Sequence, residues 1–511
     1  MSDDLYITSR TDWTPALIER VWKEIETIAI EEMELKPGID IYPNSIEIIS
    51  AEQMLDAYSS IGLPIHYNHW SFGKDFLKSS RAYQTGRQGL AYEIVINTNP
   101  CISYLMEDNN MLMQTMVMAH AAIGHNAVFK NNECFKQWTN AGSIVDYMIF
   151  ARDYIRKCED RYGDEVVESV LDAAHALAPH GVDKFKRKHQ PRMSEEARLI
   201  KLIEDDDLKQ KDLDIIMKRT SFRAEVDLSE HDQDDSPEEE ENLLYFIMKN
   251  SPNLPQWKRE ILRIVYKVNQ YFYPQGQTKN LNEGFASFTH YYIMTRLEEK
   301  GFLSADAFMS FLESHSGVIY QPTYNHRHYS GANPYALGFA IFQDLKRMCE
   351  HPTDEDREWF PHLMGRRWQD VVKEAAFEHR DDGFIAQNLS PKVIRDLKLF
   401  TIGFDHGADA SVEDPDDDSD YDSVDDGSII ATVTEIHDDA GYKNIRNSLA
   451  RSMERINYVP QIIVREADLE GDRTLKLEYV PYMGRELDVE DANLVMDYID
   501  ELWGYAVEID C

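Results

Sequence analysis

The sequence predicts an α+β protein: a mostly helical main domain holding a small sheet, then a small C-terminal domain of mixed strands and helices. Three observations carry this. Long stretches repeat apolar residues every three or four positions, one short stretch alternates them every second position, and the order strand, helix, strand, strand, helix, strand runs from residue 429 to the end. A chain of 511 residues also exceeds the usual size of one core, so two or three folded units are expected.

The first amphipathic helix is "WTPALIERVWKEIETIAIEEM", residues 13–33. A Gly/Pro/aromatic-rich stretch, "MLDAYSSIGLPIHYNHWSFGKDF", reads as irregular but packed. "LAYEIVINTN" (90–99) alternates and is β-branched, which predicts a strand ended by Asn97, Asn99 and Pro100. Helical spacing then returns through "MLMQTMVMAHAAIGHN" and continues at 142–162 and 164–178. An acidic, aromatic-poor insertion follows at about 195–241. Helical segments resume from 242, including one over 281–298 and another in "ALGFAIFQDLKRM". These define a main domain, 1–402, an acidic linker, 403–427, and a C-terminal domain, 428–511. The last carries strands 429–436, 460–468, 473–481 and 504–510 and helices 440–456 and 488–502. That order predicts a ferredoxin-like four-stranded antiparallel sheet under two helices. It holds no histidine cluster or phosphate loop, which points to regulation or partner binding.

Composition narrows the function classes. There are 92 Asp+Glu against 53 Lys+Arg, a formal charge of −39, and residues 225–241 and 403–427 hold ten and eleven acids without a single Lys or Arg. Such a surface repels nucleic acid and anionic lipid. Five scattered cysteines without a CxxC pair fit a reducing compartment. The N-terminus has no basic start or apolar h-region and no apolar run reaches about 18 residues, so a cytoplasmic protein without a membrane span is expected.

Two segments concentrate chemistry. His120 and His125 in "HAAIGHN" are five apart, about 140° around a regular helix, too far to share a ligand. A π-turn, which closes i to i+5, would align them, and Gly124 eases a local distortion. Without one they read as core or capping histidines. In "LNEGFASFTHYY", Glu283 and His290 are seven apart and lie on nearly one line of the helix, with Asn282 as candidate N-cap. Two imidazoles and a carboxylate form a three-ligand set for zinc or a similar divalent ion, leaving a position for water. His120, His125 and Glu283 are the expected ligands, with His290 a fourth ligand or a group on the bound water. Glu93, near the end of the strand, is the candidate general base or else a paired strand residue. His69 and His175 read as satisfied buried histidines, and Tyr329 as a packed loop residue or an oxyanion donor.

"LNEGFASF" resembles the glutamate-helix segment of gluzincin metallopeptidases, in which Asn-Glu-Gly-x-Ala supplies the third zinc ligand. The order of strand, histidine helix and glutamate helix is likewise zincin-like. The chain departs from that family at Ala121, where the HExxH general-base glutamate would stand. The whole chain more closely resembles the SpoVR family (stage V sporulation protein R). The resemblance is carried by "DAYSSIGLPIHYNHWSFGK" (56–74), "GLAYEIVINTNPC" (89–101), "MAHAAIGHN" (118–126), "WKREILRIVYKVNQYFYPQ" (257–275), "NEGFASFTHY" (282–291), "YSGANPYALGFAIFQD" (329–344) and "LSPKVIRDLKLF" (389–400). It implies a cytoplasmic protein linked to the spore cortex in spore-formers and, elsewhere, found beside a PrkA-type serine kinase in stress or starvation. It implies retention of His69, Glu93, His120, His125, His175, Glu283 and His290, but not of His66, His326 or His328. The expected function is a divalent-metal hydrolase acting on a peptide or peptidoglycan-related amide. The alternative is a non-catalytic regulator of the kinase pathway on a degenerate metallopeptidase scaffold.

Overall fold

Helices make up most of the described residues, as the three-and-four spacing requires. The computed structural model describes residues 6–59, 63, 65–70, 74, 93–184, 242–322, 331–400, 402–405, 430–433, 437–453, 461–467, 469, 471–481 and 489–510. The acidic stretch 195–241, Tyr329, His326 and His328 lie outside these residues, as does most of the expected linker. Residues 403–405 of that linker belong to a strand instead.

The small sheet has three strands, β1 (Asn44–Ile49), β2 (Glu93–Ile96) and β3 (Cys101–Met106), in the order β1-β3-β2. β1 runs parallel to β3, and β2 antiparallel to it with Glu93 opposite Leu105. Only β2 matches an expected strand. Beyond β3, Asn110 accepts a 2.9 Å bond from the Met113 amide and caps the helix Met111–Met118, which leads into the histidine pair.

The helix Lys279–Glu299 carries Glu283 through the middle of one apolar core, where Phe285 and Phe288 meet Phe342. Its N-cap is Thr278, so Asn282 stands inside the first turn and is not the cap. The capping charge comes from a distant residue: buried Asp381 accepts from the amides of Asn280 and Leu281 at 2.8 Å each, and from Asn280 Nδ2 at 3.0 Å. Asp381→Ala strands two first-turn amides in the core, and a loss of about 2–3 kcal/mol is expected, read as a lower urea midpoint at unchanged m.

The C-terminal segment departs from the expected four-stranded sheet. Among the described residues, β4 (Ile402–Asp405) and β5 (Ile430–Val433) form their own antiparallel pair. A separate sheet joins β6 (Gln461–Ala467), β7 (Leu475–Val480) and β8 (Val507–Asp510), with β7 antiparallel to β6 and parallel to β8. The reason lies in what the second sheet buries. Ile462, Val464, Leu475 and Leu477 of the sheet, with Trp503 of the adjoining helix Val489–Trp503, join a core with Val170, Leu244 and Ile261 of the main domain, and Trp503 stacks on Phe246 at 5.9 Å. Likewise Tyr442 and Ile445 of the helix Asp439–Met453 enter the core around the glutamate helix. Strand and helix order alone did not foretell these partners.

Candidate metal centre

The residues Ala119–His125 form a π-helix between two α-helical pieces. This is the distortion that the i to i+5 spacing demands, and it turns the His120 and His125 rings edge to face with centroids 4.6 Å apart. Buried Asn126 fixes the segment at its far end, since its side chain exchanges two hydrogen bonds with the Tyr42 backbone at 2.7 and 2.9 Å. Gly124 serves close packing: a Cβ there would stand 2.6 Å from the Ala286 Cα on the glutamate helix. On the other side of that helix, a Cβ on Gly284 would stand 2.4 Å from the Gly338 Cα of the helix Pro334–Glu350. Small residues at 284 and 286 thus let one helix lie against two backbones. Glu283 is thereby held against the histidines.

Four side chains converge. His120 Nε2 lies 3.2 Å from Glu93 Oε1 and 3.6 Å from Glu283 Oε2, and His125 Nε2 lies 3.5 Å from Glu283 Oε2. Glu93, His120 and His125 each offer a ligand atom, all within 4.8 Å of one another. Buried Glu93 Oε2 and Glu283 Oε2 have no hydrogen-bond partner. Four ligands about 2.0–2.1 Å from a tetrahedral ion stand about 3.3–3.4 Å apart. The separations around Glu283 Oε2 and His120 Nε2, 3.2–3.6 Å, come close to that edge, and the group Glu93, His120 and His125 could hold a divalent ion, with Glu283 Oε2 beside both histidines.

Expected site residues are thus placed as follows. His120, His125 and Glu283 come together, and Glu93 joins them from the end of β2. His290 does not face the same point. Its Nδ1 lies 2.9 Å from His120 Nδ1 and its Nε2 lies 2.8 Å from His315 Nδ1, so it stands behind the His120 ring. Asn282 Oδ1 accepts from His125 Nδ1 at 3.0 Å, which leaves His125 Nε2 with its lone pair toward Glu283. His69 and His175 stack at 4.5 Å in a separate cluster, with His69 on Asp172 and His175 on the Tyr67 hydroxyl at 2.9 Å each.

Burial dominates the electrostatics. It raises the Glu93 carboxyl to about 7, reinforced by the Glu283 charge and opposed by His120. Burial would also raise Glu283, but the charges of His125 and His120 and a Tyr335 hydrogen bond bring it below the ordinary carboxylate value. Burial pushes His120 down, yet the two glutamates carry it above the usual imidazole value. Burial holds His125 at about 4. Two residues of this neighbourhood, Tyr335 and His315, were missed from sequence. His315 lies on the helix Ala305–Val318, and no local spacing ties it to His290. Tyr335 follows Asn333-Pro334, a helix-start signal that could have drawn attention to it.

Comparison with known proteins now adds a lineage. The family profile described as "SpoVR like protein" matches residues 12–431, and that described as "SpoVR-like C-terminal domain" matches 460–511. The chain belongs to the SpoVR family. A curated SpoVR-like relative, the "Uncharacterized protein YcgB" of Escherichia coli (strain K12), is 44% identical over 508 residues, covering 99% of this chain and 94% of the relative. No solved structure matches this SpoVR-family chain. Among its described residues, no helix is long and apolar enough to cross a membrane.

Proposed function

We propose that this SpoVR-family protein is a divalent-metal hydrolase, with zinc the first choice of ion, acting on an amide bond in a peptide or peptidoglycan-related substrate. A cytoplasmic role in sporulation and cortex formation or in stress goes with that reading. One observation carries it: the buried Glu283 Oε2, which has no hydrogen-bond partner, stands 3.6 Å from His120 Nε2 and 3.5 Å from His125 Nε2, close to the spacing of a coordination shell. A bound ion supplies polarisation of a water or carbonyl.

The chain's own residues do the rest. His120, His125 and Glu283 hold the ion, in the zincin-like order of strand, histidine helix and glutamate helix. Glu93 offers one oxygen beside His120 and keeps the other without a hydrogen bond, and its carboxyl near 7 suits proton uptake at neutral pH. Tyr335 steadies Glu283 by a hydrogen bond.

A second reading has its own observation. Ala121 is fully buried at the place where a peptidase of this order carries its general base. A metal-bearing regulator of a PrkA-type kinase pathway would keep the ligands without that base.

Metal analysis decides the first step. Purified protein reconstituted with zinc should hold about one ion per chain at micromolar or tighter affinity, and the His120→Ala/His125→Ala double variant should hold none. Equal, near-zero metal in both rejects the centre. With metal bound, turnover of peptide or peptidoglycan fragments that disappears in Glu93→Gln supports the hydrolase, and no turnover on a broad panel supports the regulator.

A further inference from the structure

Three imidazoles form an unbroken chain from the centre into the core. His120 Nδ1 meets His290 Nδ1 at 2.9 Å, and His290 Nε2 meets His315 Nδ1 at 2.8 Å. All three residues are buried. A neutral imidazole has one N–H and one lone pair, so a chain of nitrogen-to-nitrogen bonds can run in only two directions. Inward, His315 donates to His290, His290 to His120, and the His120 proton sits on Nε2, blocking the atom that faces Glu93 and Glu283. Outward, His120 Nδ1–H donates to His290 and His290 Nε2–H donates to His315. Only the outward direction leaves the His120 Nε2 lone pair free for an ion.

We infer that His290 and His315 act together as positioning residues that fix the tautomer and ring orientation of His120 for metal binding. The inference rests on the proposed metal centre and adds what that reading lacked: a reason for His290, both of whose ring nitrogens are engaged away from the ion, and a role for His315. It parallels the other ligand, where Asn282 fixes His125 from behind through Nδ1. The means differ. An amide oxygen can only accept, so Asn282 sets the His125 tautomer alone. An imidazole can donate or accept, so His290 holds His120 in the metal-binding tautomer only while His315 Nδ1 accepts from its outer nitrogen. The His315 ring is kept in place by Phe311, Phe339 and Tyr291, with centroids 4.7–5.7 Å away. Its Nε2 is buried without a hydrogen-bond partner, so the chain ends there.

The test uses the full-length protein at one fixed pH, with zinc. Two variants separate tautomer control from packing. Phenylalanine at 315 fills the aromatic nest but cannot accept from His290, whereas glutamine packs less well but brings an acceptor oxygen. His315→Phe should weaken zinc binding about tenfold, and His315→Gln should stay within about threefold of the parent. A purely packing role gives the reverse order and overturns the inference. In the zinc-loaded parent, 15N spectra of labelled histidines should show His290 and His315 protonated on Nε2 and His120 on Nδ1. Zinc bound with Nδ1 protonated on His290 and His315 overturns the inference while the metal centre stands. No zinc bound at all overturns both.

Discussion

Gly338→Ala should destabilise the protein by about 3 kcal/mol or more and remove metal binding with it. The added Cβ would stand 2.1 Å from the Asn280 carbonyl oxygen and 2.6 Å from the Gly284 Cα, both backbone atoms that no side-chain rotation can move aside. The helix Lys279–Glu299 must then shift away from Pro334–Glu350, toward the π-helix, where Gly124 already touches Ala286. That shift carries Glu283 with it. First-coordination distances tolerate only about 0.2 Å, so even a partial displacement should break the set. Gly317 supplies the control, being helical with nothing within 4 Å of an added Cβ. Gly317→Ala should be neutral or stabilise by about 0.5–1 kcal/mol and leave metal content unchanged. Urea midpoints and zinc stoichiometry for the two variants check this. Equal behaviour of the pair would reject close helix packing as the device that places Glu283.

The local geometry of this chain is more legible in its sequence than its tertiary pairings. The five-residue separation of His120 and His125 conflicts with a regular helix, and that local conflict led to the π-turn. The seven-residue separation of Glu283 and His290 put both on one helix line, yet one line does not mean one target: Glu283 faces the imidazole pair and His290 faces the back of one of them. Sequence spacing gives a direction around an axis and cannot tell which neighbour stands there. β3 was missed because its alternation in "CISYLM" starts directly after Asn99-Pro100, which reads as a turn. β1 was missed because six residues of mixed burial give little periodicity. The capping role given to Asn282 belongs to Thr278 and Asp381, and a cap donated from a hundred residues away leaves no local mark. The C-terminal strands appeared in the expected order, but strand order specifies a fold only when the sheet buries its face on its own helices. Here Trp503, Leu475 and Ile462 are committed to the core of the main domain.

Glu93→Gln should make the metal-free protein more stable at pH 8 and the metal-loaded protein less stable, opposite signs that an ordinary structural carboxylate would not give. In the folded chain burial and Glu283 hold the Glu93 carboxyl at about 7, against an ordinary value of 4.5. Between those values the folded state keeps a proton that the unfolded state has lost, so stability from this group falls as pH rises through the window. Above it the ionised carboxylate is a buried charge beside another carboxylate, and glutamine relieves up to about 3 kcal/mol of that strain. Metal reverses the sign. Ligand oxygens must be deprotonated to bind, so affinity should rise with pH up to about 7, and metal at about 1,000 times its Kd adds about 4 kcal/mol to the parent. The variant loses the carboxylate charge beside the ion and with it most of that gain. Urea unfolding at pH 5.5 and 8, with chelator and with zinc, therefore yields four comparisons. The parent should lose stability from pH 5.5 to 8 under chelator relative to the variant, and regain it with zinc. Identical pH and zinc responses in parent and variant would mean that Glu93 neither carries the raised carboxyl nor touches the ion, and the centre would have to be rebuilt without it.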